Sequence, residues 1–384
     1  MSLPLYLDYM ASTPLDPLVL EKMQPYLTGH VGNSSSIDHG YGAQARDAIA
    51  QAAEAVAAVI HAQPNELIWT SGATESNNLA IKGAAQFYHR GRKHIVTIAS
   101  EHKAVLAVCE YLAREQGYRL TVLRPGATGR VNLEALAEAV GPETVLVSVM
   151  QVNNETGVIQ DIPAIAELAH SVGALMHCDA AQSIGRVPVN VREMGVDLLS
   201  LSAHKAYGPQ GVGALFVSRT PRVRLAAQLH GGTQQWGMRA GTLPVHQIVG
   251  MGAAFAQAEA VRVHEYVRMK TLRAAWVETL SDLPGFHVNG DQAHQVPHCL
   301  NFYVEHLDGG LLLSALPMIA MSRGAACQGV TVTPSHVLSA MGLSAAQARS
   351  AVRVSFGRMT ETQEAIAMAK TVRSVIVRLL EASG

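Results

Sequence analysis

The 384-residue sequence predicts an α/β protein: a large domain on a mainly parallel seven-stranded sheet flanked by helices, plus a smaller α+β domain. Helical and strand-like patterns alternate through the first two thirds of the chain, as in a parallel sheet covered by helices on both faces. A long helical stretch from about residue 252 toward 280 ends that alternation. Beyond it, strand-like pieces at 300–304 and 351–355 and a final helix at 362–380 form a second group, to which the N-terminal segment returns. The expected division is 14–255 for the large domain, and 1–13 with 256–384 for the small one.

The elements follow from local pattern. An Ala-rich helix over 40–61 precedes a short strand, Glu66-Leu67-Ile68-Trp69-Thr70. A helix over 74–89 leads to the strand His94-Ile95-Val96-Thr97-Ile98. Further short apolar runs at 120–123, 145–149, 174–178, 196–201 and 213–217 complete seven strands. Apolar residues at 48% and charged residues at 15% fit a compact enzyme and exclude disorder. Net charge is −1 with no long run of one sign, so there is no electrostatic footprint for nucleic acid.

The N-terminus has no basic region followed by an apolar one, so no signal peptide is expected. The apolar stretch 311–321 is too short for a membrane span and contains Pro317. A cytoplasmic protein is expected. Cys109, Cys178, Cys299 and Cys327 are too scattered for a disulfide framework, and the absence of CxxC argues against structural zinc. His177-Cys178-Asp179 looks like a ligand cluster, but consecutive strand residues face opposite ways and cannot converge on one ion.

Asp179 ends one apolar strand, and Lys205 lies just beyond the next, in Ser202-Ala203-His204-Lys205. If those strands are parallel neighbours, both side chains emerge at the carboxyl-end crevice where open α/β sheets bind ligands. An amine and an acid there suit pyridoxal phosphate: the amine forms a Schiff base with the aldehyde, and the acid pairs with the pyridinium nitrogen. A surface ion pair is the other reading. Ser71-Gly72-Ala73-Thr74 opens a helix after a strand and suits a phosphate, or is an ordinary N-cap. His102, at the next helix start, stacks on an aromatic cofactor and moves protons, or is merely solvated. Asn153-Asn154 after residue 151 holds a hydroxyl or carboxylate, or is a polar turn.

Gly211-Val212-Gly213 and Gly250-Met251-Gly252 lack the third glycine and the strand-turn-helix context of a dinucleotide site. Cys327, alone among the cysteines, sits among small residues, in Ser322-Arg323-Gly324-Ala325-Ala326-Cys327-Gln328-Gly329. A nearby cation such as Arg323 favours the thiolate, so Cys327 is the candidate nucleophile and the other three are buried, inert thiols.

Taken together, these segments resemble the group I (NifS/IscS-type) cysteine desulfurases of the class V aminotransferase group, within fold-type I pyridoxal-phosphate enzymes. The resemblance runs along nearly the whole chain: Tyr6-Leu7-Asp8-Tyr9, residues 70–76, Glu101-His102-Lys103-Ala104-Val105 and Val152-Asn153-Asn154-Glu155. It continues through Asp179-Ala180-Ala181-Gln182-Ser183, residues 202–205, Gly237-Met238-Arg239-Ala240-Gly241-Thr242 and 353–358. It implies that Lys205 binds the cofactor and moves protons, Asp179 holds the ring nitrogen, Gln182 meets the phenolic oxygen and His102 stacks on the ring. Ala73, Thr74, Ser202 and His204 would hold the phosphate, with Thr242 reaching in from the second subunit of a homodimer. Asn154 would contact the cofactor and, with Arg353, bind the carboxylate of L-cysteine. Cys327 would receive the sulfur as a persulfide and pass it to an acceptor protein, for iron–sulfur cluster assembly or nucleic-acid thiolation.

The sequence departs from the family pattern around the nucleophile, where Arg323 and Gln328 replace hydroxyl residues, and at Trp236, which stands in a usually cationic position. Ser34 replaces a common Pro and Gln151 a His. The chain ends at Gly384, without the tail that housekeeping members use with their scaffold partner. These departures point to a specialised acceptor. Two other readings stand beside the desulfurase: a class V enzyme acting on selenocysteine or cysteine sulfinate, and a non-catalytic sulfur-relay partner that keeps the cofactor.

Overall fold

The computed structural model describes residues 3–323 and 334–382. Its strands in chain order are β1 (Leu5–Tyr6), β2 (Leu67–Thr70), β3 (His94–Ile98), β4 (Arg119–Leu123), β5 (Thr144–Ser148) and β6 (Leu175–Asp179). They continue with β7 (Leu198–Ser202), β8 (Gly213–Val217), β9 (Phe286–Val288), β10 (Cys299–Val304), β11 (Ile319–Ala320) and β12 (Val352–Ser355).

Seven strands form one sheet in the order β2-β8-β7-β6-β5-β3-β4. The pairs from β7 to β4 are parallel, whereas β8 runs antiparallel to both β7 and β2. Strands β5, β7 and β8 are buried throughout, as a sheet covered on both faces requires. Edge strand β4 is only partly buried. Helices Gly40–Val59 and Ile162–Ser171 pack in one apolar cluster with residues of β5, β6 and β7, and Ala73–Phe87 and Lys103–Gln116 pack in another.

A third apolar cluster lies among β10, β12 and the C-terminal helix Thr362–Glu381, with Leu7 and the far end of the helix Val245–Leu280. Trp276 on that long helix is fully buried and donates its indole N–H to the Ala365 carbonyl at 2.9 Å. The N-terminal segment joins this group: β1 pairs with β11 in parallel, and Asp8 bridges to Ser355.

Two differences from the sequence expectation have simple causes. Strand β2 starts at Leu67 because Pro64–Glu66 is a short 3-10 turn capped by its own Glu66. The long helix starts at Val245, earlier than expected, with Gly250 and Gly252 inside it. A Cβ at Gly250 would lie 2.6 Å from the Met23 sulfur, and one at Gly252 would lie 2.9 Å from Ala52 Cα. Those glycines permit close helix packing and are not chain punctuation.

Candidate active site

The site begins with the β6–β7 pair. Asp179 ends β6, and β7 runs parallel beside it into the 3-10 turn Ala203–Lys205. Both side chains therefore reach the carboxyl edge of the sheet. Asp179 is buried, and its carboxylate accepts from Asn77 Nδ2 at 2.7 Å and from the Ala181 N–H at 2.9 Å. Lys205 Nζ donates to the carbonyls of Met10 and Ala11 at 2.8 and 2.7 Å. Burial, with Arg186 and Arg353 nearby, lowers the Lys205 pKa to about 7. The amine is thus available without its proton near neutrality.

The phosphate-type turn follows β2. Gly72 has φ +146°, a conformation that L side chains rarely adopt, and Ala73 begins the helix Ala73–Phe87. Glu75 accepts from the Ser71 N–H at 2.7 Å and pairs with Arg239 at 2.8 Å. Across from this turn stand Ser202 and His204. His204 Nδ1 lies 3.1 Å from Ser12 Oγ, and burial and the neighbouring Lys205 lower the His204 pKa to about 4.

His102 caps the helix Lys103–Gln116, its Nδ1 accepting from the Ala104 N–H at 3.1 Å, so Nε2 is the ring nitrogen left free. Desolvation by the surrounding protein lowers its pKa although the ring keeps access to solvent. Gln182 donates Nε2 to the Met10 carbonyl at 2.8 Å. Arg353 on β12 donates to the Asn154 carbonyl and to Asp8 Oδ1, each at 2.6 Å.

One cavity of about 720 Å³ is lined by Ala73, Thr74, His102, Asn154, Asp179, Gln182, Ser202, His204, Lys205 and Arg353. Ten expected residues from distant parts of the chain thus share one crevice, of a size suited to a cofactor with its substrate. Gln182 Oε1, Asn154 Oδ1 and Arg353 Nε are buried without hydrogen-bond partners. Buried polar atoms ordinarily have partners, so these unmet groups fit a polar ligand. Thr242 lies outside the cavity and is exposed in the single chain. Cys327 lies outside the described residues.

The sequence did not single out several groups at this site. Asn77 lies three residues after Thr74 on the same helix, spacing that turns it toward the sheet. Asp8, Met10 and Ala11 arrive from the N-terminal segment, where only tertiary packing reveals their role. His336 and Glu155 also line the cavity, and the fully buried Glu101 lies behind it. Cys109, Cys178 and Cys299 are buried; burial pushes Cys109 and Cys299 to about 12 and 11 and Cys178 well above the ordinary thiol value, as inert thiols require. Trp236 is exposed with φ +55° and carries the Arg219 guanidinium over its ring at 4.9 Å. Among the described residues no cluster could hold a metal, and no helix is long and apolar enough to cross a membrane.

A lysine with a lowered pKa, a buried acid one strand away and a phosphate-type turn on a mainly parallel sheet define a pyridoxal-phosphate-dependent enzyme. The chain belongs to the class-V aminotransferase family, which matches residues 5–368. It is 49% identical to "Cysteine desulfurase IscS" of Vibrio campbellii over 385 aligned residues, covering 100% of this chain and 95% of the relative. Among solved structures, a NifS-like protein superimposes with a TM-score of 0.91 at 32% identity, covering 98% of this chain and 100% of the other. SspA in complex with cysteine matches with a TM-score of 0.79 at 36% identity, covering 91% and 98%.

Proposed function

We propose that this chain is a cysteine desulfurase that converts L-cysteine to L-alanine and passes the sulfur onward from Cys327. The observation that carries the reading is Lys205, its amine set close to neutrality, in one cavity with Asp179 and the Arg353 fork. The name of the Vibrio relative and the cysteine bound by SspA support the substrate.

Pyridoxal phosphate, when bound, supplies an electron sink for the substrate α-carbon. Asp179 holds a proton at the cofactor's ring nitrogen, and Asn77 fixes the Asp179 carboxylate. Gln182 and Asn154 would offer their unpartnered amide oxygens to the bound cofactor or substrate, and His102 would stand against the cofactor ring. Ala73, Thr74, Ser202 and His204 hold the phosphate. Arg353 and Asn154 orient the L-cysteine carboxylate, an arrangement matched to a planar fork. Lys205 Nζ takes the α-proton and later returns one.

The Cys327 thiolate attacks the substrate sulfur. An S–S bond forms and the C–S bond breaks, its electron pair staying with the carbon skeleton, which takes up a proton and leaves as L-alanine. The sulfur remains as a Cys327 persulfide for transfer to an acceptor protein.

This reading includes a cytoplasmic homodimer in which Thr242 completes the partner's phosphate site. It divides the chain into a large domain at 14–255 and a small domain formed by 1–13 and 256–384. The acceptor belongs to iron–sulfur cluster assembly or nucleic-acid thiolation.

Mass spectrometry after L-cysteine treatment should locate an added sulfur on Cys327, with alanine released in the presence of a reductant. Cys327→Ala should abolish sulfur release from cysteine while sparing selenium release from selenocysteine. Cysteine turnover that survived this change would rule out the persulfide route. Wild-type protein that turned over selenocysteine or the sulfinate but not cysteine would identify a different class V enzyme, and cofactor binding without any turnover would identify a relay partner.

A further inference from the structure

Arg353 is already paired. It is only 3% exposed, and its Nη2 donates to Asp8 Oδ1 at 2.6 Å while Nη1 donates to the Asn154 carbonyl. Asp8 Oδ1 also accepts from Ser322 Oγ at 3.2 Å. The backbone on both sides of this ion pair is fixed. Asp8 bridges to Ser355, the Ser355 N–H donates to the Leu7 carbonyl at 2.8 Å, and Ser322 bridges to Arg353. Asp8 and Arg353 both face the cavity. A guanidinium fork suits the two oxygens of one carboxylate, and here one prong holds a carboxylate of the protein itself.

We propose that Asp8 is a specificity-determining residue, a resident carboxylate that occupies Arg353 until the carboxylate of an amino acid displaces it. The proposal rests on Arg353 being the carboxylate-binding residue. A buried guanidinium without a counter-ion is costly, and Asp8 supplies one while the site is free. An incoming carboxylate must replace that pairing, so it gains only the difference between its own contact and the one it breaks. A lone carboxylate competes poorly. An amino acid succeeds because its amine is held at the same time on the Lys205 side of the cavity. Asp8 therefore sets substrate affinity.

Asp8→Asn tests this, because the amide oxygen still accepts from Arg353 and Ser322 while the charge is gone. Calorimetry on the holoenzyme would compare L-alanine, propionate and ethylamine. The variant should bind L-alanine and propionate about tenfold more tightly, with ethylamine unchanged. KM for L-cysteine should fall by a similar factor. Equal or weaker propionate binding by folded Asp8→Asn would overturn the proposal. The wild type gives an independent check: in a crystal structure with L-alanine, the ligand carboxylate should stand at Arg353 Nη2 with Asp8 turned away. A ligand carboxylate bound to Arg353 beside an intact Asp8 pair would also overturn it. Arg353→Gln separates the two layers of the argument. If that variant still prefers L-alanine to ethylamine as the wild type does, the carboxylate role of Arg353 is wrong; if the preference is lost but Asp8→Asn gains nothing, only the role of Asp8 is wrong.

Discussion

Asn77 donates its side-chain amide to the Asp179 carboxylate at 2.7 Å, and both residues are buried. The contact joins the helix that follows the phosphate-type turn to the strand that carries the acid. It fixes the acid's direction before any ligand arrives. Asn77→Leu should remove a hydrogen bond to a charged group and leave Asp179 Oδ2 unpaired, a loss of ~1.5–3 kcal/mol. Pyridoxal-phosphate affinity, followed by absorbance during titration of cofactor-free protein, should weaken by about tenfold or more. Asn77→Asp should be worse, because it sets a second carboxylate against the first.

Lys205 makes a pH prediction. Its pKa is lowered from 10.5 to about 7, so the neutral amine appears as pH rises through that value. In cofactor-free protein the rate of imine formation with pyridoxal phosphate should rise between about pH 6 and 8 and then level off. Only the unprotonated amine attacks an aldehyde, so an ordinary lysine would keep gaining rate toward pH 10. Stopped-flow absorbance across this range distinguishes the two. Arg353→Gln should move the midpoint upward, since that cation helps to hold the Lys205 pKa down.

Asp179 and Lys205 were legible in the sequence because strand ends can be read from apolar runs, and two parallel neighbours must open at one edge. The turn at Gly72 and the cap at His102 were legible for the same reason: each sits where a strand gives way to a helix. Asn77 and Asp8 were not, although Asp8 stood inside a segment that carries the family pattern and Asn77 directly after one. Asn77 lies within a helix, where an amide has no local signature. Asp8 acts through a side chain brought beside it by pairing across 345 residues. The orientation of β8 was also hidden, since an apolar run reads the same in either direction.

Glu101 is fully buried, with one oxygen accepting from the Met150 N–H at 2.6 Å and the other unpartnered. Burial pushes its pKa well above the carboxylate range, with the nearby Asp179 charge adding to the effect. In the unfolded chain the same group ionises near pH 4.3. Its contribution to stability is therefore fully present below the unfolded pKa and is lost as pH rises through the window toward the folded one. Glu101→Gln keeps the shape and cannot ionise. Thermal melts should show the variant close to wild type at pH 4 and more stable by about 1 kcal/mol or more at pH 8. A difference that stays constant with pH would show that Glu101 folds as the carboxylate.

Gly213 is where three walls of the site meet. It pairs with Thr70 at the end of β2 and with Ser202 at the end of β7. A Cβ there would lie 2.4 Å from the Leu201 carbonyl oxygen and 2.7 Å from Gly72 Cα. Those neighbours are backbone atoms, so they cannot yield by rotating a side chain. Gly213→Ala must push β8 away from β7 or displace Gly72, the residue that sets up the phosphate-type turn. Overpacking of this kind costs ~1–3 kcal/mol. The melting temperature should therefore drop, and cofactor affinity should fall with it because the strain lands on the turn. Gly29→Ala supplies the control: its φ is −91° and no atom stands within 4 Å of the added carbon. Its stability should change by no more than about 0.5 kcal/mol, with cofactor affinity unaltered. If Gly213→Ala lost stability but bound pyridoxal phosphate as tightly as wild type, the strain would be absorbed by β7, and Gly72 would not depend on that contact.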